Sequence, residues 1–445
     1  MPVGARDAAL AALIAWRRTG RHADHILKTA VRPDMDSRDA ALATQIFYGV
    51  LQNMAYCDHL INAFSTVRTT RLEPQVLDIL RLSVYQLVFL EKIPASAAVS
   101  EGVRLAKKHS NPRAAGLVNA VLRKIAASGG SLPPVRASSP AERLSIEKSH
   151  PQWLVEELLR QFGPEETEAL LQANNATPPV YATVNTLRAA REQVLDALER
   201  EGARRAEGYP FLEDSVAIYG QGKVEALKAF REGLLFVQDP AARLCVTAAG
   251  LKPGMRVLDA CAAPGGKSFA AALDMRGEGA IVSCDVSDKK AALIRDGARR
   301  LGLERLISAR VQDATCLPEE FKDAFDAVLA DVPCSGFGVI RKKPDIRYKP
   351  EWEVGLLPEV QLKIISSAAR AVRPGGVLLY STCTLLRREN EDVARAFLDE
   401  NPDFKPEPFA LPEPFGDVPE GMFTLLGHKH DMDNFFICRL RRAGK

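Results

Sequence analysis

A chain of 445 residues with 47% hydrophobic and 26% charged residues and a mean hydropathy of -0.09 is too long for one ordinary core and too apolar for a disordered polymer, so two or three globular domains are expected. No apolar run approaches the roughly 18 residues that a membrane-spanning helix requires, which argues against a membrane partner. The formal charge of +3 is unevenly spread, because residues 1–144 hold 19 Lys+Arg against 11 Asp+Glu and the remainder holds 40 against 45; a basic front module, suited to a polyanion, is joined to a mildly acidic one.

The opening MPVGARDAALAALIAWRRTG has an acid at Asp7 and its arginines after the apolar stretch, the reverse of a secretory signal. It reads as a first amphipathic helix. Helical spacing then continues to about Ala127 through Ile46, Phe47, Val50 and Leu51, through Leu77, Leu80, Val84 and Leu87, and through Leu117, Val118, Val121 and Leu122, predicting an all-α bundle. Gly20 closes the first helix, Asp36-Ser37 opens another, and Pro94 and Pro112 separate the later ones. SGGSLPPVRASSP, residues 128–140, reads as a linker.

Helical patterns follow from Trp153 to Phe162 and from Glu165 to Asn174, then a strand from Val180 to Val184, a charged helix from Arg188 to Glu201 and a strand near Val216 to Tyr219, together a small α/β subdomain. From Gln238 onward short β-branched runs alternate with amphipathic helices. The strands are Arg256 to Asp259, Ala280 to Asp285, Ile307 to Val311, Ala327 to Asp331, Gly376 to Ser381 and Asn434 to Leu440, the pattern of a doubly wound α/β sheet whose ligands lie beyond the carboxyl ends of the strands. The expected division is 1–130 for an all-α RNA-binding domain, 131–237 for the linker and small α/β subdomain, and 238–445 for the catalytic domain.

Chemistry concentrates at those strand ends. The first strand runs into Cys261-Ala262-Ala263-Pro264-Gly265-Gly266-Lys267 before a helix begins. Small residues let the backbone pass beside a ligand, and the helix start directs free N–H groups at a carboxylate. The loop matches neither the dinucleotide GxGxxG nor the P-loop pattern, so a nucleoside with an amino-acid tail suits it better. Asp285, 19 residues past Gly266, has the spacing of an acid that receives ribose hydroxyls. Asp313 ends the third strand in Val311-Gln312-Asp313, where an adenine amino group would find an acceptor, and Asp331 ends the fourth.

The eight cysteines show no CxxC pair and no zinc-ligand rhythm with the seven histidines, so no metal is expected and a reducing cytoplasm is. Cys57, Cys245, Cys261, Cys284, Cys316 and Cys438 read as small packing residues. Cys334, behind Asp331-Val332-Pro333, and Cys383, in Tyr380-Ser381-Thr382-Cys383-Thr384, fall instead at neighbouring strand ends. A thiolate added to carbon 6 of cytosine makes carbon 5 nucleophilic enough to take a methyl group from a sulfonium. Asp331 is placed to assist at N3, and a second polar group helps when the thiolate is expelled. Residue chemistry alone does not say which cysteine attacks.

LDACAAPGGKS, DVPCSGFGVIRKKPDIRY and YSTCT, in this order and spacing, resemble the bacterial Sun/RsmB type of ribosomal RNA cytosine-5 methyltransferase. The front bundle is similar to the antitermination protein NusB through QIFYGVLQN, LRLSVYQLVFLEKIP and GLVNAVLRKIA, and SHPQWLVEELL matches the family's entry to its middle domain. The resemblance implies a multidomain fold: a NusB-like bundle, a small α/β subdomain and a Rossmann-like class I methyltransferase domain. It implies S-adenosylmethionine held by Cys261 through Lys267 (Cys261, Ala262, Ala263, Pro264, Gly265, Gly266 and Lys267), Asp285, Asp313 and Asp331. It assigns the nucleophile to Cys383 and product release to Cys334. The substrate implied is 16S ribosomal RNA, before or early in small-subunit assembly, at cytosine 967 in the usual numbering. Where the family has Asp-Gly-Phe-Phe this chain has Asp433-Asn434-Phe435-Phe436, and an Asn tolerant of positive φ preserves the turn.

Five cations follow the Pro-Cys pair, Arg341, Lys342, Lys343, Arg347 and Lys349, and are expected to meet RNA phosphates beside the target base. That base must leave its stack to reach a thiolate, so single-stranded or flipped RNA is expected. A transfer RNA substrate, a noncatalytic assembly factor and a nicotinamide oxidoreductase are the competing readings. The NusB-like front weighs against the first, the retained Asp331, Cys334 and Cys383 against the second, and the missing GxGxxG against the third. A monomer is expected.

Overall fold

In the computed structural model, which describes residues 4–32, 34–220 and 223–444, the first helix starts at Ala5, so residues 1–3 of the expected opening segment lie outside the described residues. Backbone contacts divide the chain into two units. One runs up to Asn175 and takes in the short segment Lys343–Tyr348; the other holds Ala176–Lys342 and the chain from Lys349 onward. The boundary after Asn175 falls inside the expected middle region 131–237.

The first unit is helical. Six helices, Ala5–Thr19, Ala23–Ala30, Ser37–Phe64, Pro74–Phe89, Ala95–His109 and Pro112–Ala127, are followed by Pro140–Glu147, Gln152–Phe162 and Pro164–Ala173. The expected stops are present: Gly20 takes φ 62° after the first helix, Asp36 caps the third by accepting from Arg38 N at 2.9 Å, and Pro112 opens the sixth behind the Asn111 cap. Leu10, Leu13, Ile46, Phe47, Val50, Leu80, Val84, Val118 and Leu122 are buried together, each worth about 1.5–3 kcal/mol against exposure.

Segment Lys343–Tyr348 is built into this unit. Arg347 is fully buried, and its guanidinium donates to the carbonyls of Gln52 and Ser149 at 2.9 Å and to Asn175 Oδ1 at 2.9 Å. The Tyr348 hydroxyl donates to Leu51 O at 2.6 Å, and its ring meets Trp16 edge-on at 5.4 Å.

The second unit carries two main sheets. Strands β1 (Val180–Val184), β2 (Arg205–Gly208), β3 (Ser215–Tyr219) and β4 (Leu235–Val237) form an antiparallel sheet in the order β2-β3-β1-β4. The larger sheet follows with β5 (Arg256–Asp259), β6 (Ala280–Asp285), β7 (Ile307–Val311), β8 (Phe325–Asp331) and β9 (Val372–Thr382), then β10 (Phe404–Pro406), a separate ribbon of β11 (Phe409–Ala410) and β12 (Asp417–Val418), and finally β13 (Met422–Leu425) and β14 (Phe435–Arg442). Its order is β10-β14-β9-β8-β5-β6-β7, with β13 on β14. Strands β5 to β9 run parallel, and β14 pairs antiparallel with β9.

Alternation along each strand shows why both faces are covered. Val257, Ala327, Leu329 and Leu379 enter one buried cluster with Phe269 and Ile294. Their neighbours Leu258, Val328, Ala330 and Tyr380 enter another with Ile365 and Phe397. The strand order reverses between β5 and β8, which opens a crevice at their carboxyl ends.

Candidate active site

The loop after β5 is held by its neighbours on both sides. Ala260 N donates to Leu329 O at 2.9 Å and Ala262 N to Cys284 O at 2.8 Å, and Ala263–Pro264 is cis. Gly265 sits at φ 113°, and a side chain there would lie 2.4 Å from the Phe269 ring, so only glycine fits both the backbone and the space. The helix Gly266–Asp274 starts directly behind it. Beneath, buried Asp259 accepts from Ser268 Oγ at 2.7 Å, and burial, only partly opposed by that bond and by Lys267, raises its carboxyl to about 6.

Asp285, at the end of β6, is buried and accepts from Ser287 N at 3.1 Å. Asp313 stands two residues beyond β7, exposed, with its carboxylate taken by Thr315 N at 2.8 Å and Thr315 Oγ1 at 2.7 Å. At the end of β8, Asp331 accepts from Lys267 Nζ at 2.6 Å and from Ser381 Oγ at 2.9 Å. Burial opposes the Lys267 charge, but Asp331, together with Cys245 and Asp259, outweighs it and holds the ammonium above its ordinary value. The ammonium also lies 4.9 Å over the Phe435 ring.

Asp331 pairs in register with Ser381, so the loops that leave β8 and β9 start side by side. They bring Cys334 Sγ and Cys383 Sγ to 3.3 Å, with both residues partly exposed. Cys383 is therefore not sealed in hydrocarbon. The hydrogen bond to Cys383, then burial, then the charges of Cys383, Glu389 and Asp331 hold the Cys334 thiol well above its ordinary value. Either sulfur of the pair can be the donor. Cys57, Cys245, Cys284 and Cys438 are buried, and no group of His, Cys, Asp and Glu among the described residues has the arrangement of a metal site.

Behind the thiols the wall is polar and dense. Gly338 N donates to Cys383 O at 2.9 Å, and Asn434 N donates to Gly338 O at 3.0 Å. Asn434 Oδ1 accepts from Gly427 N at 2.8 Å. The expectation of positive φ at Asn434 is corrected, because Asp431, at φ 48°, makes the turn, and the Asn434 amide serves as a bracket.

The basic run is also corrected. Arg341 is buried and ion-pairs with Asp431 at 2.7 Å and Asp433 at 3.2 Å; Lys342 pairs with Asp239 and with Asp433 at 2.7 Å. Arg347 is inside the helical unit, and Lys349 Nζ donates to Ser335 O at 2.8 Å. Only Lys343 of the five is exposed. Four of these cations are engaged by internal acceptors, although Arg341 Nη2 and Arg347 Nε have no hydrogen-bond partner among the described residues, so the run is not a continuous phosphate-facing strip.

Two residues of the site were not read from the sequence. Gln238 is buried with its Oε1 on Thr183 and its Nε2 unpartnered beside Gly266. Glu389 is buried under both cysteine loops.

The family description "16S rRNA methyltransferase RsmB/F" matches residues 246–441, the NusB family matches 4–127, and the ferredoxin-like domain of RsmF/B-like methyltransferases matches 150–225. The "Probable ribosomal RNA small subunit methyltransferase B" of Bacillus subtilis (strain 168) is 39% identical over 99% of both chains. The chain belongs to the RsmB/F methyltransferase family. "Ribosomal RNA small subunit methyltransferase B" of Salmonella typhi is 32% identical over 91% of this chain and 90% of its own. The solved structure of the protein designated PH0851 superposes with a TM-score of 0.80 at 26% identity, covering 99% of each chain. The resemblance first carried by LDACAAPGGKS, DVPCSG and YSTCT thus holds over the full length, and the RsmB/F architecture of NusB-like bundle, ferredoxin-like sheet and methyltransferase sheet is the one observed.

Proposed function

We propose that the protein transfers a methyl group from S-adenosylmethionine to carbon 5 of one cytosine in 16S ribosomal RNA, cytosine 967 in the usual numbering, through a transient bond between Cys383 Sγ and carbon 6 of the base. The observation that carries this reading is the thiol pair 3.3 Å apart at the ends of β8 and β9. RNA binding alone requires neither sulfur.

The crevice residues suit this cofactor. The glycine turn and helix start at Gly265-Gly266 favour a carboxylate, and the orphaned Gln238 Nε2 is a buried donor beside the same turn that a carboxylate oxygen would satisfy. Asp285 offers acceptors at the strand end where ribose hydroxyls are received. Cys261 through Lys267, Asp285, Asp313 and Asp331 are the residues that would hold it.

As a thiolate, Cys383 gives its electron pair to carbon 6, and the ring becomes an enamine with a nucleophilic carbon 5. N3 takes a proton from solvent as carbon 6 is attacked, and Asp331, anchored by Lys267 and Ser381, accepts from the resulting N3–H and from the exocyclic amine and so holds the protonated ring. S-adenosylmethionine supplies the electrophilic methyl group. Release then needs the carbon 5 proton to pass to a base and the carbon 6–sulfur pair to return to Cys383. Cys334, held as a thiol within hydrogen-bond reach, donates to the departing sulfur.

Cys383→Ala should abolish methyl transfer and adduct formation while cofactor binding persists. Cys334→Ala should accumulate a covalent RNA adduct, seen as a slow band on a denaturing gel. The converse pattern would exchange the two roles, and no adduct from either variant, with 5-methylcytosine unchanged in 16S RNA from cells lacking the protein, would sink the proposal.

A further inference from the structure

Glu389 lies in the 3-10 turn between β9 and the helix Glu391–Glu400 and is fully buried. Its carboxylate reaches both cysteine loops. Oε2 accepts from Ser335 N at 2.8 Å and from Gln361 Nε2 at 2.9 Å; Oε1 faces Thr384 Oγ1 at 3.4 Å. Ser335 directly follows Cys334, and Thr384 directly follows Cys383.

The same loops are tied further. Ser335 Oγ and Thr384 Oγ1 are 2.7 Å apart, Gln361 Nε2 also donates to Pro333 O at 3.0 Å, and Lys349 Nζ holds Ser335 O. A buried carboxylate is costly unless its oxygens are satisfied. Here two of its donors, Ser335 N and the Thr384 hydroxyl, belong to the residues that directly follow the two sulfurs, the third is Gln361 on the helix Leu357–Ala369, and none of the steps derived above uses it.

We propose that Glu389 is a positioning residue for the thiol pair: its carboxylate locks the loop bearing Cys334 against the loop bearing Cys383 and so sets the sulfur–sulfur distance across which the leaving thiolate receives its hydrogen bond. The locking itself follows from the contacts above; its use in release rests on the covalent reading. A glutamine can place its oxygen on Ser335 N and Gln361 Nε2 and turn its amide toward the Thr384 hydroxyl, which keeps one lone pair to accept with beside Leu386 N when its own proton is given to Ser335 Oγ. Glu389→Gln therefore keeps the lock, and Glu389→Ala removes it.

The distance is read directly by oxidising the full-length protein with diamide. The two thiols then give up two protons and two electrons to the reagent and join as a disulfide, counted by mass and by residual thiol. Glu389→Ala should form the 334–383 bond about tenfold more slowly, as expected for a displacement of a fraction of the roughly 1 Å that costs about a hundredfold in a reacting pair, and Glu389→Gln should stay close to wild type. On RNA, Glu389→Ala should lower kcat about tenfold with KM for the cofactor unchanged and raise the share of enzyme trapped as adduct, with Glu389→Gln restoring both. A folded Glu389→Ala protein that oxidises as fast as wild type overturns the proposal whatever its activity. Slowed oxidation in a set of proteins that never methylate RNA, wild type included, upholds the lock and defeats the covalent reading instead. If Glu389→Ala does not fold, Thr384→Val and Gln361→Leu, each removing one donor, decide by the same rate: unchanged oxidation in both overturns the proposal.

Discussion

Gly338 donates its backbone N–H to the carbonyl of Cys383 at 2.9 Å, an approach that leaves no room for a side chain. A Cβ at 338 would lie 2.2 Å from Asn434 O and 2.7 Å from Cys383 O, and both are backbone atoms that cannot swing away. Gly338→Ala is therefore expected to cost about 1–3 kcal/mol in urea unfolding, the range for overpacking. It should also depress methyl transfer about a hundredfold by moving the nucleophile's loop. Unchanged activity would show that the Cys383 backbone tolerates displacement.

Lys267 and Asp331 form the ion pair at the mouth of the crevice, with side chains 13% and 27% exposed. Removing one member leaves the other charged without its partner. Lys267→Met should lower stability by less than the roughly 3–5 kcal/mol of a fully buried pair, because Asp331 keeps some solvent and its Ser381 bond, and Asp331→Asn added to it should cost less than the sum of the two single changes. A coupling energy near zero in that double-mutant cycle would show that the pair does not act as a unit.

Arg347 brings the most direct test of the corrected basic run. Arg347→Met strips donors from buried acceptors at Gln52, Ser149 and Asn175, and an unsatisfied buried acceptor costs about 1–3 kcal/mol. A net loss of about 1–3 kcal/mol is expected, because removal of the buried charge partly offsets the orphaned acceptors. The salt dependence of RNA binding should stay as in wild type, because the slope follows the number of phosphates met. A shallower slope in a folded Arg347→Met protein would return this residue to the RNA.

Asp259 imposes a pH signature on stability. Its folded carboxyl is raised to about 6, above the value near 3.9 of an unfolded chain, so between these two values the folded state binds more protons than the unfolded one. Stability from this group is full below about pH 4 and declines as pH rises through about 6. Asp259→Asn should flatten the plot of unfolding free energy against pH between about 4 and 6, whatever constant offset the substitution adds. An identical slope in the two proteins would place the burial cost elsewhere.

The parallel sheet was legible because its strands are short apolar runs, most of which end in an acid or a small residue, and the strand-end positions of Asp285, Asp331, Cys334 and Cys383 followed from that rhythm. The short strands β2, β4 and β10 to β13 carry no such rhythm. They are two to four residues long, below the length at which alternation can be told from a loop.

Charge was the poorer guide. Arg341 and Lys342 look like a solvent-facing strip when read along the chain, yet their acids lie far away in sequence at Asp239 and Asp433. Glu389, set between Arg388 and Asn390 in RREN, has the local look of an exposed turn, and only the pairing of β8 with β9 carries Ser335 to it. Buried ionic partners separated by a hundred residues leave no local trace. Gln238 was passed over for a related reason: a single amide is ordinary at the start of a helix until its neighbour proves to be Gly266.

The placement of Lys343–Tyr348 within the helical unit has a consequence for biosynthesis. The bundle up to Asn175 emerges from the ribosome first, but the guanidinium and phenol that fill its carbonyl-lined interior are translated 172 and 173 codons later. At about 5–20 residues per second the nascent bundle must wait roughly 10–35 s before its last stitch arrives. Final consolidation of the amino-terminal unit is thereby tied to synthesis of the Asp331-Val332-Pro333-Cys334 strand end, and a transcript truncated before codon 347 yields a front module without that stitch.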